Sequence, residues 1–465
     1  MAVSITDTSA QADWRRYPYQ LVPGDTQLDF PAAEGMHPQY QSDTWYLAGY
    51  LTGGESGRQF SFITIFNRNR PGGEMVADFH TFALFDIDGG SYGTYTDYDM
   101  PPANMAPGAV AKLTSAPGFL DLHYVGRAGT STWSACRDGS GALIPYTYDF
   151  HVVGEDNAGA AMELRLHLTP SRAPVPVGAS VYNGKIVASL QDDTYSYFQT
   201  GVQMTGTLRW GEISENVTGP SGHIDRQWFP SYAGGGGTGG DIRGQGHQWH
   251  TISLDNGVDL SVWRQFDRRI GNAVVPFTGI TASYDDGTPP RCVEDLEVTT
   301  ASFVRWPNAI RSLVRPPSQH RYMPGRHSIV SAELDLQLTG EPLVHAPAHA
   351  LPIEYLEGPY RYHGSMGGRP VTGVALFESS DPLYRDWELI DVLATQICSV
   401  GAQSAELSSH LGEVRELIAR RDDPATLTFL DERLRPLLAA LPHDVSGELI
   451  EILDGLADAV RNDVR

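Results

Sequence analysis

Between residues 45 and 378 the apolar side chains return at every second position, and this period of two constrains the fold more than any other feature of the chain. Phe60, Phe62, Thr64 and Phe66 fall on one side of an extended segment. Met162, Leu164, Leu166 and Leu168 alternate with Glu163, Arg165 and His167. Side chains of a strand point to its two faces in turn, so such segments read as antiparallel strands with one face buried and one wet. Turn signals divide them at Pro71-Gly72-Gly73, Asp88-Gly89-Gly90 and Asp138-Gly139. Residues 170–178 (PSRAPVPVG) read as an extended connector, because prolines cannot serve a central strand. A glycine-rich loop covers residues 231–246, and the pattern then resumes. Val258, Leu260 and Val262 form one set, Leu334, Leu336 and Leu338 another, and GSMGG at 364–368 joins a closing hairpin. Two such blocks predict a mainly β protein with two closed or nearly closed sheets, since closure removes exposed edges.

The period changes after residue 378. Trp387, Ile390, Leu393 and Ile397, then Leu407, Leu411, Val414 and Leu417, follow helical spacing. Asp423-Pro424 reads as a helix cap followed by proline in the first turn, Pro442 breaks the second helix, and Leu449, Leu453 and Leu456 mark a third. A chain of 465 residues exceeds one ordinary core. The expected division is an extended arm over 1–36, β domains over 37–235 and 236–380, and a helical extension over 381–465. The extension should pack on the second β domain or on another copy of the chain, which would make a homo-oligomer, and should supply no chemical groups.

The net charge of −23 excludes nucleic acid and anionic membrane surfaces as partners, because both need a basic face. No apolar run reaches the roughly 18 residues of a membrane span. Cys136, Cys292 and Cys398 are far apart and form no CxxC pair, which fits free thiols in a reducing cytoplasm. Lys112 and Lys185 are the only lysines, so Schiff-base chemistry has few candidates. The chain lacks HExxH, and its glycine run at 234–240 lacks the Lys-Ser/Thr of a phosphate loop. His223, His247, His250, His345 and His349 do not have the spacing of a zinc site. The expectation is chemistry without metal or cofactor.

Residues 221–230 (SGHIDRQWFP) pack an acid, a base, a guanidinium, an amide and two aromatic rings into ten positions. A second cluster, His247-Gln248-Trp249-His250, follows the glycine-rich loop. Titratable groups set among aromatic strands are what a water-poor reaction pocket needs, because desolvation moves their pKa values. Asp225 and Trp249 are expected to face a common cavity. A structural network, with Asp225 and Arg226 as an ion pair and Trp228 as core, would use the same residues.

Several stretches, in order, resemble a known family. They are residues 37–51 (HPQYQSDTWYLAGYL), 164–178 (LRLHLTPSRAPVPVG), 195–206 (YSYFQTGVQMTG), 247–262 (HQWHTISLDNGVDLSV) and 355–378 (YLEGPYRYHGSMGGRPVTGVALFE). Together they are similar to the two-domain lipocalin-like family of bacterial carotenoid 1,2-hydratases and AttH-type proteins, with kievitone hydratase and fungal decalin-forming Diels–Alderases as distant relatives. The resemblance implies two lipocalin-like barrels, a pocket near their junction, and a large, mostly hydrocarbon, olefinic substrate. The family often has Asp-His before Trp-Gly in its central motif, where this chain has Asp225-Arg226-Gln227-Trp228-Phe229.

For hydration of an alkene, Asp225 would be the acid, Trp228, Trp249 and Tyr195 would face the cation, and His223 or His250 would hold the water. For a pericyclic cyclisation, Arg226, Gln227 and Gln248 would polarise a carbonyl. Glu357, in the closing hairpin, joins the substrate-binding set. A non-catalytic carrier would need only the cavity.

Overall fold

The computed structural model describes residues 13–99, 103–188, 191–231, 245–267, 273–274, 278–307, 310, 319–350, 354–380 and 382–465. Eleven main strands build the first sheet. They are β1 (Ser42–Gly53), β2 (Gln59–Asn69), β3 (Phe79–Asp86), β4 (Ser91–Tyr98), β5 (Leu113–Ser115), β6 (Asp121–Gly126), β7 (Gly129–Arg137), β8 (Leu143–Glu155), β9 (Ala161–Pro170), β10 (Gln191–Trp210) and β11 (Ile213–Phe229). Across the sheet they run β4-β3-β2-β1-β11-β10-β9-β8-β7-β6-β5, with short strands at Val175–Pro176 and Lys185–Ala188 added to β10.

The second sheet repeats this plan. Its main strands are β12 (Gln245–Leu254), β13 (Val258–Asp267), β14 (Gly279–Tyr284), β15 (Arg291–Val293), β16 (Glu297–Thr300), β17 (His327–Ser331), β18 (Leu336–Pro342), β19 (Glu354–Met366) and β20 (Arg369–Ser379). The order is β15-β14-β13-β12-β20-β19-β18-β17-β16. In both sheets the first long strand pairs with the last, antiparallel, and the sheet is open between two strands adjacent in sequence. Two curled antiparallel sheets of lipocalin-like topology result. The boundary expected at 235/236 lies outside the described residues, as does nearly all of the glycine-rich loop.

Burial along the strands shows how the sheets meet. β9 keeps the alternation of a half-wet strand, with Met162, Leu164, Leu166 and Leu168 in the first core. β2 is buried on both faces: Phe60, Phe62 and Phe66 point into that core, while Ile63 and Ile65 join Tyr46, Ala48, Ala83 and Phe85 against Val344, Tyr355 and Leu376 of the second sheet. A strand with an apolar neighbour on each side loses its wet face. β11 changes character along its length. It alternates as far as residue 221 and is fully buried over 222–228. The change coincides with register shifts toward β10 and β1, and β10 carries Gly201 at φ 64°, which glycine adopts without steric cost. Tyr50 ties the sheets together, its hydroxyl lying 2.7 Å from the Ala375 carbonyl and accepting the Tyr360 N–H at 3.1 Å.

Residues 13–36, the stretch read as an extended arm, wind onto the first sheet through the strand pair Tyr19–Gln20/Asp29–Phe30. They bury Leu28, Phe30 and Ala33 in its core.

After residue 382 the chain is helical: α1 (Asp386–Ser399), α2 (Ala405–Arg420), α3 (Asp423–Phe429), a π turn at Leu430–Leu434, α4 (Arg435–Ala439) and α5 (His443–Arg461). The sequence spacing read three helices; the structure has four rods, because Gly401 (φ 67°) and the Ser404 cap, accepting from Leu407 N at 3.0 Å, separate α1 from α2. The cap of α3 is Asp422 rather than Asp423; its carboxylate accepts from Ala425 N, which leaves Pro424 in the first turn. Leu389, Leu393, Leu449, Leu453 and Leu456 share one core with Phe303 and Tyr322 of the second β unit. Gln396 accepts from Phe303 N at 2.8 Å, and Tyr322 and Leu383 exchange backbone bonds. The apolar faces of the extension are thus buried within this chain. None of the described helices is long and apolar enough to cross a membrane.

Candidate active site at the sheet junction

Strand alternation divides the run at 221–230 into two sets. Ile224, Arg226 and Trp228 point into the first sheet's interior, while His223, Asp225 and Gln227 point to the junction.

The inward set is built around a buried cation. Arg226 is 1% exposed and donates to the Thr44 carbonyl at 2.5 Å, the Gly35 carbonyl at 2.7 Å and Asp43 Oδ1 at 3.3 Å. Its guanidinium lies over the Trp45 ring at 4.1 Å. Asp43 also accepts from the His37 backbone N–H at 2.9 Å and pairs with its Nδ1 at 3.0 Å. Trp228 is enclosed between His37 (3.9 Å between centroids) and Tyr195 (5.8 Å). Glu34, which accepts from Tyr17 at 2.5 Å and Tyr148 at 2.9 Å, belongs to the same interior. Burial lifts its carboxyl to about 7, although both tyrosines and Arg226 pull the other way. Arg226, Trp228 and Tyr195 therefore stand on the far side of the sheet from Asp225, and Asp225 and Arg226 are not the ion pair their adjacency suggested.

The junction set is acidic and, among the described residues, has no buried arginine or lysine as an ion-pair partner. Asp225 is 1% exposed; Gln227 Nε2 donates to its Oδ1 at 3.2 Å, and Oδ2 has no hydrogen-bond partner. Burial pushes its pKa well above the usual carboxylate range, and the Glu378 carboxylate nearby pushes it further. Glu357, also 1% exposed, accepts the Tyr46 hydroxyl across 311 residues of sequence. Its pKa is raised well above normal by burial and then by Glu378, against hydrogen bonds from Tyr46 and Tyr355. Glu357 and Glu378 are direct cross-strand partners on β19 and β20, a placement that two carboxylates avoid unless one holds a proton.

Aromatic rings line this group. Trp249 lies 5.7 Å from Tyr46, 5.9 Å from His223 and 4.9 Å from a stacked Trp263. Asp225 and Trp249 both face the junction, one from each sheet. His223 stacks on Phe198 at 5.5 Å; burial lowers its pKa to about 3, and Nε2 lacks a partner, so the ring is neutral with an unused nitrogen.

Gln248 and His250 alternate away from Trp249 and leave the junction. Gln248 accepts from Arg264 at 3.3 Å. His250 sits in the second sheet's interior, bonded to the Tyr362 hydroxyl at 2.7 Å, which also meets His327 at 2.5 Å. Glu378, Tyr46, Tyr355 and Trp263 belong to the junction and were missed by sequence reasoning. Tyr46 and Tyr355 share the strand parity of their junction neighbours Ala48 and Glu357, which is the signal that could have found them. Among the described residues, the group able to hold a metal ion is Cys136, Asp149 and His167, whose ligand atoms lie within 4.8 Å of one another on β7, β8 and β9. Asp149 and His167 are exposed there, and the group is separate from the junction set.

The family model for AttH-like proteins matches residues 21–378. The fold superposes on the crystal structure of an AttH protein from Nitrosomonas europaea with a TM-score of 0.55 and 19% identity, over 78% of this chain and 99% of the other. It superposes on kievitone hydratase from Nectria haematococca with a TM-score of 0.52 and 12% identity, over 75% of this chain and 92% of the other. At such identities the likeness describes fold alone. No curated protein matches the chain.

Proposed function

This chain belongs to the AttH-like family, and from that premise we propose that it is an enzyme adding water to a C=C bond of a large hydrophobic olefinic metabolite, isoprenoid or polyketide, at the junction of its two sheets. The observation that carries the reading is Asp225: a buried acid with a raised pKa, one oxygen held by Gln227 and the other without a partner, beside aromatic rings. A carboxyl that burial holds toward its protonated form has a proton to give, and an alkene needs a strong, oriented acid because it is a weak base.

In the reaction, the alkene π pair takes the Asp225 proton and forms a C–H bond. The adjacent carbon becomes cationic. The ring faces of Trp249, Tyr46 and Trp263 stabilise that charge without trapping it covalently. A water oxygen then forms the C–O bond and loses a proton to a carboxylate, so acid and base exchange one proton and the sum is alkene plus water to alcohol. His223 Nε2, uncharged and unused, suits the task of orienting the water. The kievitone hydratase that shares the fold is named for the same class of reaction.

Cyclisation of a polyene is the second reading. It needs donors that polarise a carbonyl, and of Arg226, Gln227 and Gln248 only Gln227 stands at the junction. A pure carrier gains nothing from three buried carboxyls, which cost stability. The deciding experiment incubates the purified chain with a panel of isoprenoid and polyene alkenes in H2(18)O and follows products by mass spectrometry. A product heavier by one labelled water is expected. A new ring at unchanged mass would replace the hydratase reading with the cyclase, and retention without conversion would replace both with the carrier.

A further inference from the structure

The junction carboxyls are buried, yet an acid that spends a proton at each turnover must be reloaded. Among the described residues, His247 joins them to solvent. His247, on β12, keeps a quarter of its side chain exposed, and its Nε2 meets Glu378 Oε1, whose side chain is 8% exposed. On the other side of the ring, Nδ1 lies 2.7 Å from Ser380 Oγ. That oxygen also accepts the His247 backbone N–H at 3.3 Å, so its hydroxyl proton is free to be donated to Nδ1. The tautomer that satisfies every bond puts the imidazole proton on Nε2, aimed at Glu378. Glu378 in turn stands opposite Glu357 in register and opposite Trp249 on its other neighbour strand. The line Ser380–His247–Glu378–Glu357 therefore runs from the rim to the acids by hydrogen bonds and one cross-strand contact.

We propose that His247 is the proton gate of the junction. It exchanges protons between solvent and the Glu378/Glu357 pair, and Ser380 holds its ring in the tautomer that makes this possible. The role deepens the hydration reading and rests on it for its purpose. Glu378 is the carboxylate that takes the proton the attacking water loses, and the proton is returned to the acid side or released through His247. The transfer between His247 Nε2 and Glu378 Oε1 moves one proton along their hydrogen bond, and no redox partner is involved. His247 is a shuttle, since it lies beyond the acids from the reacting carbons. Ser380 is a positioning residue.

The test needs no substrate. Protonated buried carboxyls give an infrared C=O band that shifts when the proton is replaced by deuterium, so the full chain mixed rapidly into D2O reports the proton path directly. Asp225→Asn at neutral pH should remove part of that band; an unchanged band would sink the neutral-acid reading, on which the gate rests for its purpose. The gate is judged by the rate on whatever carboxyl band remains. His247→Gln keeps a donor toward Glu378 and an acceptor toward Ser380 but cannot shuttle, and it should slow exchange at least about tenfold. His247→Ala should slow it similarly and be rescued by millimolar imidazole, which a merely structural role would not give. Ser380→Ala should slow exchange less than either. Wild-type exchange rates in both His247 variants would overturn the proposal, as would slow exchange in His247→Ala that imidazole fails to restore. If His247→Ala does not fold, the Gln variant decides.

Discussion

The first sheet's interior and the junction are made from the same residue types. Each buries two or three carboxyl groups among tryptophan and tyrosine, and β11 contributes to both. Both hold a carboxyl that burial lifts, Glu34 in the interior and Asp225 at the junction, and they differ in the cation. Inside the sheet, Arg226 brings a permanent cation to Asp43 and three hydrogen bonds to fixed acceptors. At the junction, among the described residues, Asp225 and Glu357 have no buried arginine or lysine as an ion-pair partner; burial holds both above the usual carboxylate range, and His247 meets Glu378 at the rim. A buried charge paired with a permanent opposite charge is held in place, whereas one balanced by a proton can change state. The first arrangement builds a wall, and the second can run a reaction.

Swapping the chemistry of the two regions should give opposite phenotypes. On an olefin that the mass assay identifies as substrate, Asp225→Asn should lower the hydration rate by about 10²–10⁴-fold while the fold survives, since the amide keeps the shape and loses the proton. Retention of more than a tenth of the rate would break the assignment of Asp225 as acid. Arg226→Leu should do the reverse. It leaves Asp43 buried without its main cation and should cost about 3–5 kcal/mol in urea unfolding, with activity per folded molecule preserved. A selective loss of turnover in this variant, with stability unchanged, would return Arg226 to the chemistry.

A finer probe is Tyr46→Phe. It removes the buried donor to Glu357 across the two sheets. The expected cost is about 1–3 kcal/mol, the penalty for a buried acceptor left unmade, and the Glu357 carboxyl should move further up because that bond pulls it down. Carboxyl carbon NMR would show the shift. A downward movement would mean that the tyrosine is not the donor.

The fold was legible in the sequence because alternation is a local property. Strand after strand announced itself through residues two apart, and the change after residue 378 was as plain. The site was half legible. The run at 221–230 named the right strand, but counting its polar residues together ignored parity, which splits Asp225 from Arg226 and Trp228. Parity alone would not have said which side carries the chemistry, because over 222–228 both faces are buried. The same oversight placed Gln248 and His250 beside Trp249. Tyr46 reaches Glu357 across 311 residues of sequence, and no spacing rule in one sequence reports such a meeting, whereas Glu378 faces Glu357 across the closing hairpin. The fourth helical rod was lost to a glycine turn: Leu407 continued the apolar series across Gly401, whose left-handed backbone, with the Ser404 cap after it, separates α1 from α2.

The smallest predicted effect follows from the raised acids and bears on stability. A carboxyl whose pKa is higher in the folded chain than in the unfolded one binds more protons when folded. Below the unfolded pKa, near 4, both states are protonated and the group is neutral to stability. Above it the unfolded chain ionises while the folded chain holds its proton, so stability falls by about 1.4 kcal/mol per pH unit per group until the folded pKa is reached. Asp225 and Glu357 both shift in this direction. Asp225→Asn removes one of the two, since an amide does not titrate. The variant should therefore gain on the parent as pH rises from 5 to 8, and the gap should close at acid pH. The gain is limited by a poorer fit of the amide against Gln227, which donates to Asp225 Oδ1 and can keep that bond only if the amide oxygen faces it. Chemical denaturation of both proteins across that range measures the gap. A gap that stays flat with pH would mean Asp225 is ionised in the folded protein, and the junction would then be compensated after all.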